Sequence, residues 1–143
     1  MKNLISQKIV NFLNLQTCVN ICTVNENNLP YCFTCYFVFD EEKKCLYYKS
    51  NINTKHSELI LKNNACAGTI LEDQLNKMFL KGIQFQGSIN KTSNKNLSAF
   101  KKYHKKYPMA LAIPGEIWVV NLEIIKFTDN SMGFGHKTHW SAL

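Results

Sequence analysis

Between residues 77 and 90 the chain alternates apolar and polar side chains, and two glycines interrupt the alternation. Phe79, Ile83, Phe85 and Ile89 share one face of such a strand, with Gln84, Gln86 and Ser88 on the other. Gly82 and Gly87 mark a bend or bulge, the device a long strand needs if its sheet is to curl. A second alternating run, 116–127, places Trp118, Val120, Leu122 and Ile124 on one face. Two long strands of this kind, one built to bend, point to a curled antiparallel sheet.

The other segments fit around them. Ile5, Ile9, Phe12 and Leu13 recur at helical spacing and predict a helix over 4–15. Residues 17–24, 31–39 and 45–50 read as three successive strands, separated by the turn 25–30 and the charged loop 40–44. They suggest an antiparallel meander. A helix over 54–63, capped by Asn53 or Thr54 with Leu59 and Ile60 turned inward, precedes a strand over 65–72. A third helix, 95–106, ends before Pro108. The tail from Thr128 reads as polar loop. The order α-β-β-β-α-β-β-α-β, mainly β in an α+β chain, predicts a small six-stranded antiparallel barrel with three short helices, and a sandwich is the alternative. The 143 residues, 45% hydrophobic, suit one domain over 1–143 with a real core.

The formal net charge is +7, and all 17 basic residues are lysines. A bound phosphate must therefore be met by ammonium groups, hydroxyls and backbone N–H groups, without a guanidinium fork. Polar residues interrupt the first fifteen positions, so no signal peptide is expected there. No apolar run is long enough to span a membrane. The chain reads as cytoplasmic, its cysteines at 18, 22, 32, 35, 45 and 66 as reduced thiols. Cys32-x-x-Cys35 has the spacing of a redox or zinc motif, but it sits in a strand, where residues three apart face opposite ways. Ordinary core or surface thiols are the better reading.

Five groups could carry chemistry. Ser50-Asn51-Ile52-Asn53-Thr54-Lys55-His56-Ser57 leads from a strand into a helix N-terminus, where free N–H groups attract anions. An ordinary cap beside a solvated lysine is the competing reading. Lys126 shares the parity of Trp118, Val120, Leu122 and Ile124, and either snorkels at the rim or aims at a ligand. Gly133-Phe134-Gly135 permits close backbone approach, or is simply loop. His136-x-x-His139 lacks a third metal ligand in the sequence around it, so surface histidines are the better reading. Lys101, Lys102, Lys105 and Lys106, with Tyr103 among them, could meet nucleic acid or simply form a solvated helix face.

Taken together, the element order, the Thr54-Lys55-His56 junction, the stretch Lys81-Gly82-Ile83-Gln84-Phe85-Gln86-Gly87 and the tail from Ile125 to Trp140 resemble one family. It is the small YhbP-type group of the pyridoxamine 5′-phosphate oxidase-like FMN-binding split-barrel superfamily. The resemblance implies a six-stranded split barrel, a homodimer, and FMN in a cleft between subunits. It implies a phosphate site at Ser50, Thr54 and Lys55, with the flavin ring against Phe33, Thr34, Cys35 and Tyr36. Gln84 and the segment containing Lys126, Asp129 and Asn130 would line the cleft, in part from the partner chain. Lys81 and Lys126 are the candidates for stabilising an anionic reduced flavin. The true pyridoxamine phosphate oxidases grip their substrate with arginines near the C-terminus. This chain has none, so the implied activity is FMN-dependent oxidoreduction of another substrate. The rival readings are a non-enzymatic flavin or haem module, with His56, His104, His136 or His139 as axial ligand, and a nucleic-acid binder using the lysine-rich helix.

Overall fold

A computed structural model describes residues 3–93 and 95–143. Met1 and Lys2, part of the N-terminal stretch read above, and Asn94 lie outside the described residues. The chain forms α1 (Gln7–Leu15), β1 (Cys18–Val24), β2 (Pro30–Tyr36), β3 (Val38–Asp40), β4 (Cys45–Ser50), α2 (Lys55–Lys62), β5 (Ala65–Leu71), β6 (Lys81–Lys91), α3 (Leu97–Lys106), β7 (Glu116–Asp129) and β8 (Lys137–Ser141), with short 3₁₀ turns at Pro108–Ala112 and Asn130–Met132. The helices follow from their stripes. Ile9, Val10, Phe12 and Leu13 of α1 are buried, and Thr54 and Asn96 cap α2 and α3 with side-chain oxygens.

All strands belong to one antiparallel sheet. Seven follow the path β2-β1-β5-β6-β7-β4-β3, and β8 pairs with β7 beside that path. Among the described residues the count is eight, against the six expected. One extra strand arises because the run 31–39 is broken at Phe37. Its first part pairs with β1 and its second with β4, so the expected three-strand meander does not form. The two parts are the opposite ends of the sheet path, joined through one buried residue, which holds the sheet in a curled half-barrel. The other extra strand is β8, formed by the tail that reads as loop. It lies along the edge of β7 that β4 leaves free. A largely polar strand suffices there because it covers an edge, and only its Trp140 reaches the main core.

The bend expected from Gly87 is a bulge that also changes β7. Gln86 pairs with Ile124 and Gly87 with Leu122, so Glu123 has no partner and the alternation of β7 reverses. Trp118, Val120 and Leu122 point inward, and Ile125 and Phe127 take over beyond the bulge. Ile124 is therefore 46% exposed. Lys126 lies on the outer side and does not close the apolar face, contrary to the parity expected from sequence. Phe79 is a second correction. It is exposed and belongs to the loop before β6, which begins only at Lys81.

The main core fills the concave side of the sheet with α1, Val19, Ile21, Phe37, Leu46, Ile83 and Trp118. A second cluster lies outside the sheet, where Tyr103 and Tyr107 pack on Tyr47 and Ile117. Two lysines of α3 are anchors in this cluster. Lys102 Nζ lies 2.7 Å from the buried Asp40 carboxylate, and Lys106 Nζ donates to the carbonyls of Gln16 and Phe37 at 2.6 and 3.1 Å. Among the described residues no helix is long and apolar enough to cross a membrane.

A Cβ on Gly87 would lie 2.0 Å from the carbonyl oxygen of Asn121, whereas one on Gly82 would meet only the end of the Leu71 side chain, at 3.2 Å, and the Ile70 carbonyl, at 3.4 Å. Gly87→Ala should therefore cost about 2–3 kcal/mol in urea unfolding, and Gly82→Ala clearly less. Equal midpoints for the two variants would contradict a backbone-filled bulge.

Candidate functional site

At the end of β4 two polar residues enter a strand that otherwise buries its side chains. Lys49 Nζ donates to the carbonyl of Ala110 at 2.7 Å and lies 3.1 Å from His104 Nε2. His104 Nδ1 sits 2.9 Å from the Phe100 carbonyl, which can only accept. The proton is therefore on Nδ1, and Nε2 is free to accept from Lys49. Burial holds the Lys49 ammonium below its ordinary pKa. Among the described residues its ammonium pairs with no carboxylate.

Next to it, Ser50 Oγ lies 2.7 Å from His56 Nε2, and the imidazole stacks on Phe33 with centroids 3.8 Å apart and planes 7° from parallel. Burial pushes the His56 pKa below its ordinary value, which favours the neutral ring. If that ring carries its proton on Nε2, it donates to Ser50 and leaves the serine hydroxyl proton free for a ligand.

Thr54 opens α2. Its hydroxyl accepts from Ser57 N–H at 3.2 Å and lies 2.7 Å from Ser57 Oγ, so it is occupied within the cap. Lys55 projects over the ring of Tyr31, 4.8 Å from its centroid.

Lys49 and Ser50 open into a cavity of about 610 Å³ that Thr34, Cys35 and Tyr36 line from β2. Tyr103 and Tyr107 complete its aromatic wall, and Tyr36 and Tyr107 stack at 5.3 Å and 17°. A flat aromatic wall beside an ammonium and a hydroxyl suits a planar ligand that carries an anionic group. Sequence reasoning missed Lys49, Tyr103 and Tyr107 as lining residues. The available signals were a lysine in an apolar strand and two tyrosines four apart, one in α3 and one just past its end.

The remaining candidates lie elsewhere. Gln84 and Lys126 line a second cavity of about 630 Å³, together with Asn20, Cys22, Cys32 and His139. The bulge at Glu123 is what turns Lys126 there, and β8 sets His139 opposite it. Lys81 pairs in register with Asp129 at the far end of β6. Asp129 Oδ1 accepts from Ser131 N–H at 2.9 Å, and Asn130 Oδ1 from Gly135 N–H at 3.0 Å, so both organise the turn into β8. The structure thus joins Thr34, Cys35, Tyr36 and Ser50 in one cavity, with Phe33, Thr54 and Lys55 on its flank. It separates them within one chain from Gln84 and Lys126, and from Lys81, Asp129 and Asn130. Among the described residues no group of three or more His, Cys, Asp or Glu is placed to hold a metal ion.

No family model matches the chain. UPF0306 proteins of Yersinia pseudotuberculosis and Yersinia pestis are 35% identical to it over 133 residues, covering 92% of this chain and 90% of theirs. Among solved structures, a haem-binding protein from Mycobacterium smegmatis superposes with a TM-score of 0.76 at 9% identity, over 92% of this chain and 55% of that one. A FAD-binding protein from Mesorhizobium loti gives 0.70 at 13% identity, over 85% and 92%. A Clostridium acetobutylicum protein of the pyridoxinephosphate oxidase family gives 0.67 at 14% identity, over 94% and 92%. At these identities the likeness is one of fold alone, the curled antiparallel sheet with its three helices.

The His56 shift has a stability consequence with a definite sign. The folded chain resists protonating this ring, so below about pH 6.5 the unfolded chain takes up the proton first and stability falls. His56→Phe, which keeps the stack on Phe33, should flatten part of the decline in unfolding temperature between neutral and mildly acidic pH. Parallel pH profiles for the two proteins would show that His56 is not buried as described.

Proposed function

Because the chain belongs to the UPF0306 family, we propose that its members with this site bind a flavin, FMN in this chain, and serve as flavin-dependent oxidoreductases of a substrate other than pyridoxamine phosphate. The observation that carries the reading is the half-buried Lys49 ammonium beside the Ser50 hydroxyl, in a cavity walled by stacked tyrosines. The donor set fits a phosphate: one cation with no carboxylate partner among the described residues, one hydroxyl that neutral His56 can leave free to donate, and the N-terminal turn of α2 with Lys55 nearby. The wall of Thr34, Cys35 and Tyr36 fits a flat ring. When bound, the flavin supplies hydride transfer. The chain's part is to hold the phosphate, orient the ring and exclude water.

The same reading calls for a homodimer. Gln84 and Lys126 lie in a different cavity from Ser50, so a single flavin meets both groups only if a second copy brings its own Gln84 and Lys126 to the first cavity. The outer face of β1 and β2 supports such an apposition. Beside the first cavity it carries the exposed Cys18, Thr34 and Tyr36, with Tyr36 52% exposed. Sedimentation velocity at micromolar concentration should give a dimer, and a monomer with full FMN affinity would rule out the shared cleft.

A haem reading has one observation in its favour: of the four histidines only His139 lines the second cavity, beside Lys126. The titration that separates the two uses purified protein with added FMN or haem. FMN should bind with altered flavin absorption, and Lys49→Ala should weaken it about 10- to 100-fold while the unfolding temperature confirms a folded variant. Lys55→Ala should weaken it less, because that side chain is more exposed. Failure of the wild type to take up FMN would overturn the flavin reading. A Soret band abolished by His139→Ala would replace it with haem.

A further inference from the structure

Cys22 and Cys32 are direct cross-strand partners of β1 and β2, ten positions apart in sequence. The main chain on either side shows what kind of pair they are. Asn25 N–H donates to the Leu29 carbonyl at 3.0 Å, and Phe37 N–H to the Thr17 carbonyl at 3.1 Å. Both bonds join odd-numbered partners of the same register. Even-numbered pairs, Cys22–Cys32 among them, are then of the non-hydrogen-bonded type, in which the Cα atoms lie about 4.5 Å apart and the side chains are closest. A disulfide spans Cα separations of about 4.4–6.8 Å. Both side chains leave the same outer face of the sheet and line the cavity that holds Gln84 and Lys126, with Cys32 exposed and Cys22 half-buried. The other cysteines are placed differently. Cys35 turns inward against the core, Cys45 and Cys66 are buried, and Cys18 faces Tyr36.

We propose that Cys22 and Cys32 form a thiol–disulfide exchange site whose co-substrate is a low-molecular-weight disulfide of the glutathione type. The exposed Cys32, as thiolate, attacks one sulfur of the small disulfide, breaks its S–S bond and releases one thiolate. Cys22, also as thiolate, then displaces the second small thiolate from the mixed disulfide and forms the Cys22–Cys32 bond. The two protons lost by the cysteines end on the two released thiols. The protein pair is oxidised by two electrons and the small disulfide is reduced by two. Burial and the neighbouring Cys32 thiol raise the pKa of Cys22, which suits it to the second, resolving step rather than to the first attack. The bridge would cross the wall of the second cavity, exchanging two thiols for one S–S bond beside Lys126. The pair stands on the chain's own strands, and the exchange requires the second cavity to be free of flavin or haem.

The test treats the native full-length protein with oxidised glutathione, blocks residual thiols, and reads intact mass and unreduced peptides. The expected product has lost the mass of two hydrogens, yields a Cys22–Cys32 linked peptide, and reverts with dithiothreitol. Cys22→Ser should stop at a stable glutathione adduct on Cys32, and if that variant does not fold, the wild-type linkage alone decides. Accumulation of the Cys32 adduct in the wild type, a bridge between other cysteines, or no reaction would each overturn the assignment.

Discussion

The structure depends on how the chain passes through Phe37. On one side of it β2 pairs with β1, and on the other β3 pairs with β4, so this residue joins the two ends of the sheet path. A break in strand pairing leaves main-chain groups to satisfy, and each finds a partner. Phe37 N–H donates to the Thr17 carbonyl, and its own carbonyl accepts from Lys106 Nζ and the Tyr107 hydroxyl. The ring is wholly buried. The same contacts tie α3 to the seam. This brings Tyr107 against Tyr36 and closes the wall of the first cavity. The curl of the sheet and the site therefore share one set of interactions.

The second constraint is the bulge at Glu123. An unpaired residue in a long strand disrupts the ladder locally, and the strand bends in return. Here it also hands the inward positions from Leu122 to Ile125 and turns Ile124 and Lys126 outward. Gly87 makes this possible, since the Asn121 carbonyl occupies the space a side chain would need. Through one backbone irregularity, a strand that would otherwise only fill the core also supplies a cavity on its outer face.

Lys49 shows what a half-buried ammonium without a counter-charge costs the fold. Withdrawing an ammonium from water without a carboxylate to meet it is unfavourable. Its hydrogen bonds to the Ala110 carbonyl and His104 offset only part of the loss. An anionic ligand is the partner that would complete the set. Lys102, by contrast, is matched by the buried Asp40 and serves the packing of α3. Similar residues from one lysine-rich chain thus differ in role according to whether a counter-charge is present.

Much of the architecture was legible in the sequence. Periodicity alone marks the three helices, and the strands over 17–24, 45–50 and 65–72, because burial of one face imposes a period that residue type records. Gly87 announces the bend for the same reason, being a residue whose missing side chain has a local cause. The family resemblance reads the junction from Ser50 to Lys55 as a site; in the fold Ser50 lines a cavity, Thr54 is taken up in the cap of α2, and Lys55 lies over Tyr31. Other features depend on contacts between distant segments, and no local pattern carries them. The break at Phe37 depends on which neighbours take up its main-chain groups. The strand β8 exists because β7 has a free edge, and the reversal at Lys126 because Glu123 finds no partner across from it. The closeness of Lys49 to Tyr107, and of Cys22 to Cys32, likewise required the sheet to be paired and curled. The sequence determined which segments could be helix or strand and which faces they would bury. Only tertiary structure decided which side chains share a cavity, since that depends on strand register and closure across the whole chain.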